Sequence, residues 1–198
     1  YKMILDTFYW HFDNPFSKDF VKEITTQGLK SKQVKATVGT EEKIRKNIRK
    51  SKICWLKSPL LYNNINPLIH TANRSAWNFQ WDWNEEAQFT EYKKDDFYSW
   101  HVDGVYKPYG AERGKDYEGK IRKLSSIILL SEPGKDFEGG EFEIDFGNGG
   151  GKGKRIIKEL NKKGSMIVFP SFIRHRVKPV TKGKRHSLVL WHIGYPFV

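Results

Sequence analysis

The chain has 198 residues, of which 38% are hydrophobic and 15% aromatic, enough to build a packed core and too many for a disordered segment. Its single cysteine, Cys54, excludes an intramolecular disulfide and any zinc site built on cysteines, and fits a reducing, cytoplasmic compartment. The formal charge of +12 favours acidic partners such as nucleic acid, although a lysine-rich surface gives the same balance. No apolar run reaches the length of a membrane span and no presequence pattern is visible, so no membrane partner is expected.

In chain order, "PFSKDFVKEITTQG" reads as a helix. Ser17 is its N-cap, Phe20, Val21 and Ile24 form its apolar stripe, and Gly28 is its stop signal. "KIRKNIRKSK" (Lys43 to Lys52) is the densest basic patch. Ile44, Ile48 and Ile53 lie near helical spacing, so it reads as an amphipathic helix with a basic face. "INPLIHTANRSAWNF" places Pro67 near a helix start, with Leu68, Ile69, Ala72 and Ala76 on its buried face.

From about residue 77 the period becomes that of strands. "NFQWDW", "EAQFTEY" and "KLSSIILLSE" are aromatic or β-branched runs. In "GGEFEIDF" Phe142, Ile144 and Phe146 alternate with Glu141, Glu143 and Asp145. "GSMIVFPS", "IRHRVKPV" and "HSLVLWHIGY" complete a series of short strands with frequent turn signals, which suggests a β-sandwich or barrel. The expected organisation is one domain over 1–198, with a helical or mixed support region over 1–76 and a β core over 77–198.

The chemistry begins at "YSWHVDGVY". Residues i and i+2 of a strand share a face, so His101 and Asp103 would project together. A 2-His-1-carboxylate site for iron needs one more histidine and keeps the opposite face open. Taken alone, the pair reads first as a strand-end contact with loop backbone and second as a metal site. His11 and His70 fall in the helical part and read as packing or surface residues. His175 follows a turn between two apolar strands and could return beside the pair at the mouth of a barrel. His186 and His192 share a face of the last strand with Leu188 and Leu190. Arg185 and Ser187, also i and i+2, put a guanidinium and a hydroxyl on one side, a set of donors suited to a carboxylate.

Four segments in order resemble the prolyl-4-hydroxylase-like 2-oxoglutarate/Fe(II)-dependent dioxygenases: "IRKSKICWL", "QFTEYKKDDFYSWHVDG", "LSSIILLSE…FEGGEFEI" and "KGSMIVFPSFIRHRVKPVTKGKRHSLVLW". The resemblance implies a double-stranded β-helix (jelly-roll) core with N-terminal helices packed on one sheet. It implies His101, Asp103 and His175 as ligands of Fe(II), and Arg185, helped by Ser187, as the anchor of the co-substrate 2-oxoglutarate. Tyr92 would line the co-substrate pocket and Trp191 would pack against the site. Leu129 stands where some relatives carry a tyrosine that bonds the co-substrate. Ascorbate is expected to support activity.

The implied reaction is hydroxylation of a C–H bond coupled to decarboxylation of 2-oxoglutarate, with a prolyl residue of a protein or peptide as the leading substrate. The alternatives are an oxygenase acting on nucleic acid, suggested by the charge, and a β-sandwich binding module without catalysis. Val105 to Gly119, rich in Gly, Lys and Tyr, is expected to form a mobile lid, with a plain surface loop as the alternative.

Overall fold

A computed structural model describes residues 7–37, 45–104, 107–147 and 153–197. Among these, β1 (Trp10–Phe12) is followed by helix α1 (Lys18–Lys30), then by β2 (Val34–Lys35), β3 (Arg49–Lys50) and β4 (Lys52–Leu56). Helix α2 (Pro59–Ala76) leads into β5 (Trp83–Asn84), β6 (Ala87–Lys93), β7 (Phe97–His101) and β8 (Ile121–Leu129). The chain continues through β9 (Phe137–Gly139), β10 (Phe142–Asp145), β11 (Lys154–Ile156), β12 (Met166–Pro170), β13 (Arg174–Val177) and the long β14 (Val180–Gly194).

Two sheets face each other. The larger runs β1-β12-β8-β14-β6-β4-β2, with β5 and β9 paired to β14; the smaller runs β11-β10-β13-β7-β3. Pairing between these strands is antiparallel, the jelly-roll arrangement expected from the resemblance.

Strict alternation in the larger sheet creates two cores. Ile128, Met166, Val168, Leu188 and Leu190 face the helices and pack with Phe20, Ile24, Leu61, Ile65 and Ile69. Ile127, Leu129, Ile167 and Phe169 face the smaller sheet and pack with Phe142, Ile144 and Val177. The helices therefore cover one sheet face and leave the space between the sheets for a site.

Ser17 does cap α1, its Oγ accepting from Phe20 N at 3.1 Å. Gly28 does not stop the helix, which runs on to Lys30. Its role is close approach, since a Cβ there would run into the Phe89 ring. Pro67 lies inside α2, which begins at Pro59 with Ser58 as its cap. The carbonyl that loses its partner to Pro67 belongs to Asn63, an exposed residue that water can serve.

The basic stretch is not a helix where it is described. A turn over 46–48 leads into β3 and β4, while Lys43 and Ile44 lie outside the described residues. Ser99 N donates to Ile48 O at 2.8 Å and β4 pairs with β6, so sheet hydrogen bonds override a weak helical periodicity. His11 lies on β1 rather than in a helical segment, and is exposed, as a surface residue would be.

The acidic residues that alternate along β10 are not solvated. Glu143 is buried against Arg176, whose Nε donates at 2.7 Å, and Asp145 lies 3.8 Å from Arg174.

His186 and His192 occupy the helix side of β14 with Leu188 and Leu190. His186 bonds Ser131 Oγ at 3.1 Å and Glu91 at 3.2 Å. His192 is fully buried, bonding Asn84 Oδ1 at 2.6 Å and Ser126 Oγ at 3.0 Å. Burial, with His70 nearby, lowers its pKa to about 3.

A pKa lowered on folding means the unfolded chain binds the extra proton. The stability contributed by His192 is therefore complete above the unfolded value near 6.5 and is lost as pH falls toward 3. Unfolding free energies from urea titrations between pH 7 and pH 5 should fall with a component of up to about 1.4 kcal/mol per pH unit from this residue, and His192→Gln should flatten that slope. An unchanged slope in the variant would show that His192 does not carry this dependence.

Candidate active site

His101 closes β7 and His175 sits on β13 directly opposite, the two being Cα partners across the pairing of these strands. Asp103 lies just beyond the strand rather than on it. It is held because Asp103 N and Gly104 N both donate to Ser171 O, at 2.9 and 2.7 Å, in the turn between β12 and β13. A local backbone clamp thus does what the strand register was expected to do.

The three side chains converge, with ligand atoms all within 4.8 Å of one another. Asp103 Oδ1 is 3.6 Å from His101 Nε2, and Asp103 Oδ2 is 3.5 Å from His175 Nε2. Each imidazole is oriented by the backbone carbonyl two residues before it: His101 Nδ1 bonds Ser99 O at 2.8 Å and His175 Nδ1 bonds Ile173 O at 2.9 Å. A carbonyl accepts only, so each Nδ1 carries a hydrogen, and Nε2 is the ring atom turned toward the carboxylate.

Burial and the neighbouring His101 push the His175 pKa down to about 4, so it is neutral at pH 7. Burial pushes the Asp103 carboxyl up, but the adjacent imidazoles and Arg122 outweigh this and hold it well below the usual carboxylate range. Asp103 Oδ2 is buried without a hydrogen-bond partner. An ionised carboxylate with an orphaned oxygen, close to two imidazole Nε2 atoms, fits a divalent cation.

These residues line a cavity of about 720 Å³ that also reaches Arg185, Ser187, Tyr92 and Trp191. Arg185 is buried and donates from Nη1 to Ser187 Oγ at 3.2 Å; Tyr92 lies opposite it on β6, its ring centroid 5.6 Å from the guanidinium carbon. No carboxylate among the described residues pairs with Arg185, and burial lowers its pKa. A desolvated guanidinium without a counter-ion fits an anionic ligand. On β8 the cavity wall is Ile127; Leu129, on the same strand face, packs in the adjoining core.

Other cavity residues escaped the sequence reading. Arg122 is gripped by Glu85 through two bonds, Nε to Oε1 at 2.6 Å and Nη2 to Oε2 at 2.7 Å, and lies 3.8 Å over Trp191. Tyr98 stacks on His101 at 3.5 Å, and the Arg49 guanidinium carbon lies 4.5 Å from the Tyr98 ring centroid. Nothing in "KIRKL" or "WNEEAQ" singles out Arg122 or Glu85, because their partners lie 37 positions apart. Arg49, by contrast, carries a visible signal: "RKS" repeats the R-x-S spacing of Arg185 and Ser187.

Residues 87–193 match the sequence pattern of the 2OG-Fe(II) oxygenase superfamily, more than half of the chain. The chain belongs to this superfamily. Membership implies Fe(II) and 2-oxoglutarate, in keeping with the cation-fitting trio and the unpaired Arg185.

A PKHD-type hydroxylase of Alteromonas mediterranea is 33% identical over 103 residues, covering 52% of this chain and 41% of that protein. The chain spans about two-fifths of the length of the curated relatives it matches. Among solved structures, a Pseudomonas putida prolyl-4-hydroxylase superposes with a TM-score of 0.69 at 18% identity, covering 93% of this chain and 91% of that one. A prolyl hydroxylase of Trichoplax adhaerens, in complex with a hypoxia inducible factor peptide fragment, gives 0.70 at 18%, covering 93% and 82%. At such identities these two likenesses speak for the fold.

The expected lid falls partly outside the described residues, at Val105 and Tyr106. From 107 onward the segment brings Lys107, Tyr109, Arg113 and Tyr117 to the cavity. Tyr109 OH donates to Glu85 Oε1 at 2.6 Å, fastening this strap to the Glu85–Arg122 pair. Tyr109→Phe should raise the rate of tryptic cleavage at Arg113 and Lys115 by about tenfold or more, by releasing a charge-assisted bond of about 1.5–3 kcal/mol. Equal rates in variant and parent would show that this bond does not hold the strap.

Proposed function

We propose that residues 1–198 act as a single catalytic domain, an Fe(II)- and 2-oxoglutarate-dependent hydroxylase whose substrate is a prolyl residue of a peptide or protein. The observation that carries this reading is that two inward-facing Nε2 atoms and the orphaned Asp103 Oδ2 share a cavity with the unpaired, buried Arg185. His101, Asp103 and His175 would hold the ferrous ion, and Arg185 with Ser187 would take the far carboxylate of 2-oxoglutarate. When bound, the ion supplies the redox chemistry that couples decarboxylation of 2-oxoglutarate to succinate and CO2 with hydroxylation of a C–H bond.

The protein's own contribution is position and solvent exclusion. The backbone carbonyls of Ser99 and Ile173 fix both imidazoles before any ligand arrives, which limits reorganisation on binding. Ile127, Phe142, Val177 and Val189 give the inner wall an apolar character that keeps water from a reactive centre. Nearer the mouth, the exposed Trp55 ring offers a surface suited to the C–H groups of a pyrrolidine. Arg122, pinned by Glu85, extends Nη1 to Asp103 O at 3.4 Å and would orient a substrate carbonyl beside the metal. Support for the substrate class comes from the relatives described as PKHD-type hydroxylases and the neighbours described as prolyl hydroxylases. Ascorbate would sustain turnover by keeping the iron ferrous.

Succinate release from 2-oxoglutarate in the presence of Fe(II), oxygen and ascorbate tests the reading. The protein should form succinate; Asp103→Ala and His175→Ala should abolish it. Arg185→Ala should raise the KM for 2-oxoglutarate by about tenfold or more, the loss expected for a buried charge-assisted bond. Full succinate formation by Asp103→Ala would remove the metal assignment. A gain of one oxygen on proline in a peptide library, read by mass spectrometry, would identify the substrate class.

A further inference from the structure

Arg49 is the second buried guanidinium that lines the cavity with no carboxylate partner among the described residues. It is held by neutral groups alone: Nε donates to Ser51 Oγ at 3.0 Å and Nη2 to Gln88 Oε1 at 2.7 Å. Its plane is steadied by the Tyr98 ring at 4.5 Å, and that ring stacks on His101 at 3.5 Å. Two of its five N–H donors are used in this way, which leaves the rest for a ligand. The arrangement repeats that of Arg185, where an R-x-S pair also leaves a buried guanidinium uncompensated.

Charge balance sharpens the point. Inside the cavity, among the described residues, three guanidiniums (Arg49, Arg122 and Arg185) face two carboxylates, Glu85 and Asp103. Glu86, Lys107 and Arg113 are exposed at the rim and screened by water. A ferrous ion and the 2-oxoglutarate dianion cancel, so one positive charge remains. Arg122 is neutralised by Glu85 and Arg185 by the co-substrate; the surplus lies on Arg49. A buried charge of this kind is costly unless something pairs with it. Gln88 stands where a glutamate would have closed the ion pair within the protein.

We propose that Arg49 is a second anion-binding position, and that the substrate presents a carboxylate to it. This rests on the reading of the cavity as holding Fe(II) and 2-oxoglutarate. The carboxylate would belong either to a free α-carboxyl group or to an acidic side chain beside the reacting residue.

The test is calorimetric titration of the protein loaded with Fe(II) and saturating 2-oxoglutarate under anaerobic conditions, so that Arg185 is occupied and no turnover occurs. The probes are matched pairs differing only in carboxylate against amide: N-acetylproline and its amide, blocked Glu-Pro and Gln-Pro peptides, and N-acetylalanine and its amide. In at least one pair the carboxylate should bind about tenfold or more tightly. That advantage should fall to within about twofold in Arg49→Gln and in Gln88→Glu, the latter a near-isosteric change that supplies the missing counter-ion. Preference in the N-acetylproline pair assigns a free α-carboxylate; preference in the peptide pair assigns an acidic side chain. An equal preference in the alanine pair would discard the prolyl reading while leaving Arg49 in its role. No carboxylate advantage in any pair, or an advantage that survives both substitutions, overturns the proposal.

Discussion

A carboxylate held away from water between two imidazoles governs this molecule. Asp103 is ionised, buried, and short of partners on one oxygen, and both histidines turn Nε2 toward it. Such a group is unfavourable in an empty interior and favourable around a cation. The rest of the architecture can be read as what is required to keep it there: a pairing of β7 with β13 that sets His101 against His175, and a turn at Ser171 that clamps the loop after His101.

The two-sided larger sheet makes that possible. One face is closed by α1 and α2, so its apolar residues need nothing from the other side. The inner face is then free to carry Arg185, Ser187 and Tyr92 among aliphatic neighbours. Alternation on β14 separates the two tasks residue by residue, with Leu188 and Leu190 toward the helices and Ser187, Val189 and Trp191 toward the cavity. A one-residue slip of this strand would exchange structure for function along its whole length.

Much of this was legible in the sequence because strand periodicity is a local property. The alternation in "SLVLW" and "FEID", the Ser17 cap, and the R-x-S and H-x-D spacings all lie within a few residues. The histidine that completes the trio was found by order along the chain, through the resemblance, and not by spacing. Where local pattern and sheet competed, the sheet prevailed: the isoleucines of the basic stretch have near-helical spacing, yet Arg49 and Lys50 pair with β7. Gly28 was read as punctuation, although only the Phe89 ring on another element explains it. The Glu85–Arg122–Tyr109 network was invisible for the same reason, since each partner is distant in sequence and none belongs to a motif.

The central claim is that His101, Asp103 and His175 form a single metal site. Anaerobic titration of the metal-free protein with ferrous ion tests it most directly. The account predicts saturation at one ion per chain, with binding lost in His175→Ala and in Asp103→Ala while both variants keep the parent's circular dichroism. Undiminished binding by folded His175→Ala would contradict it.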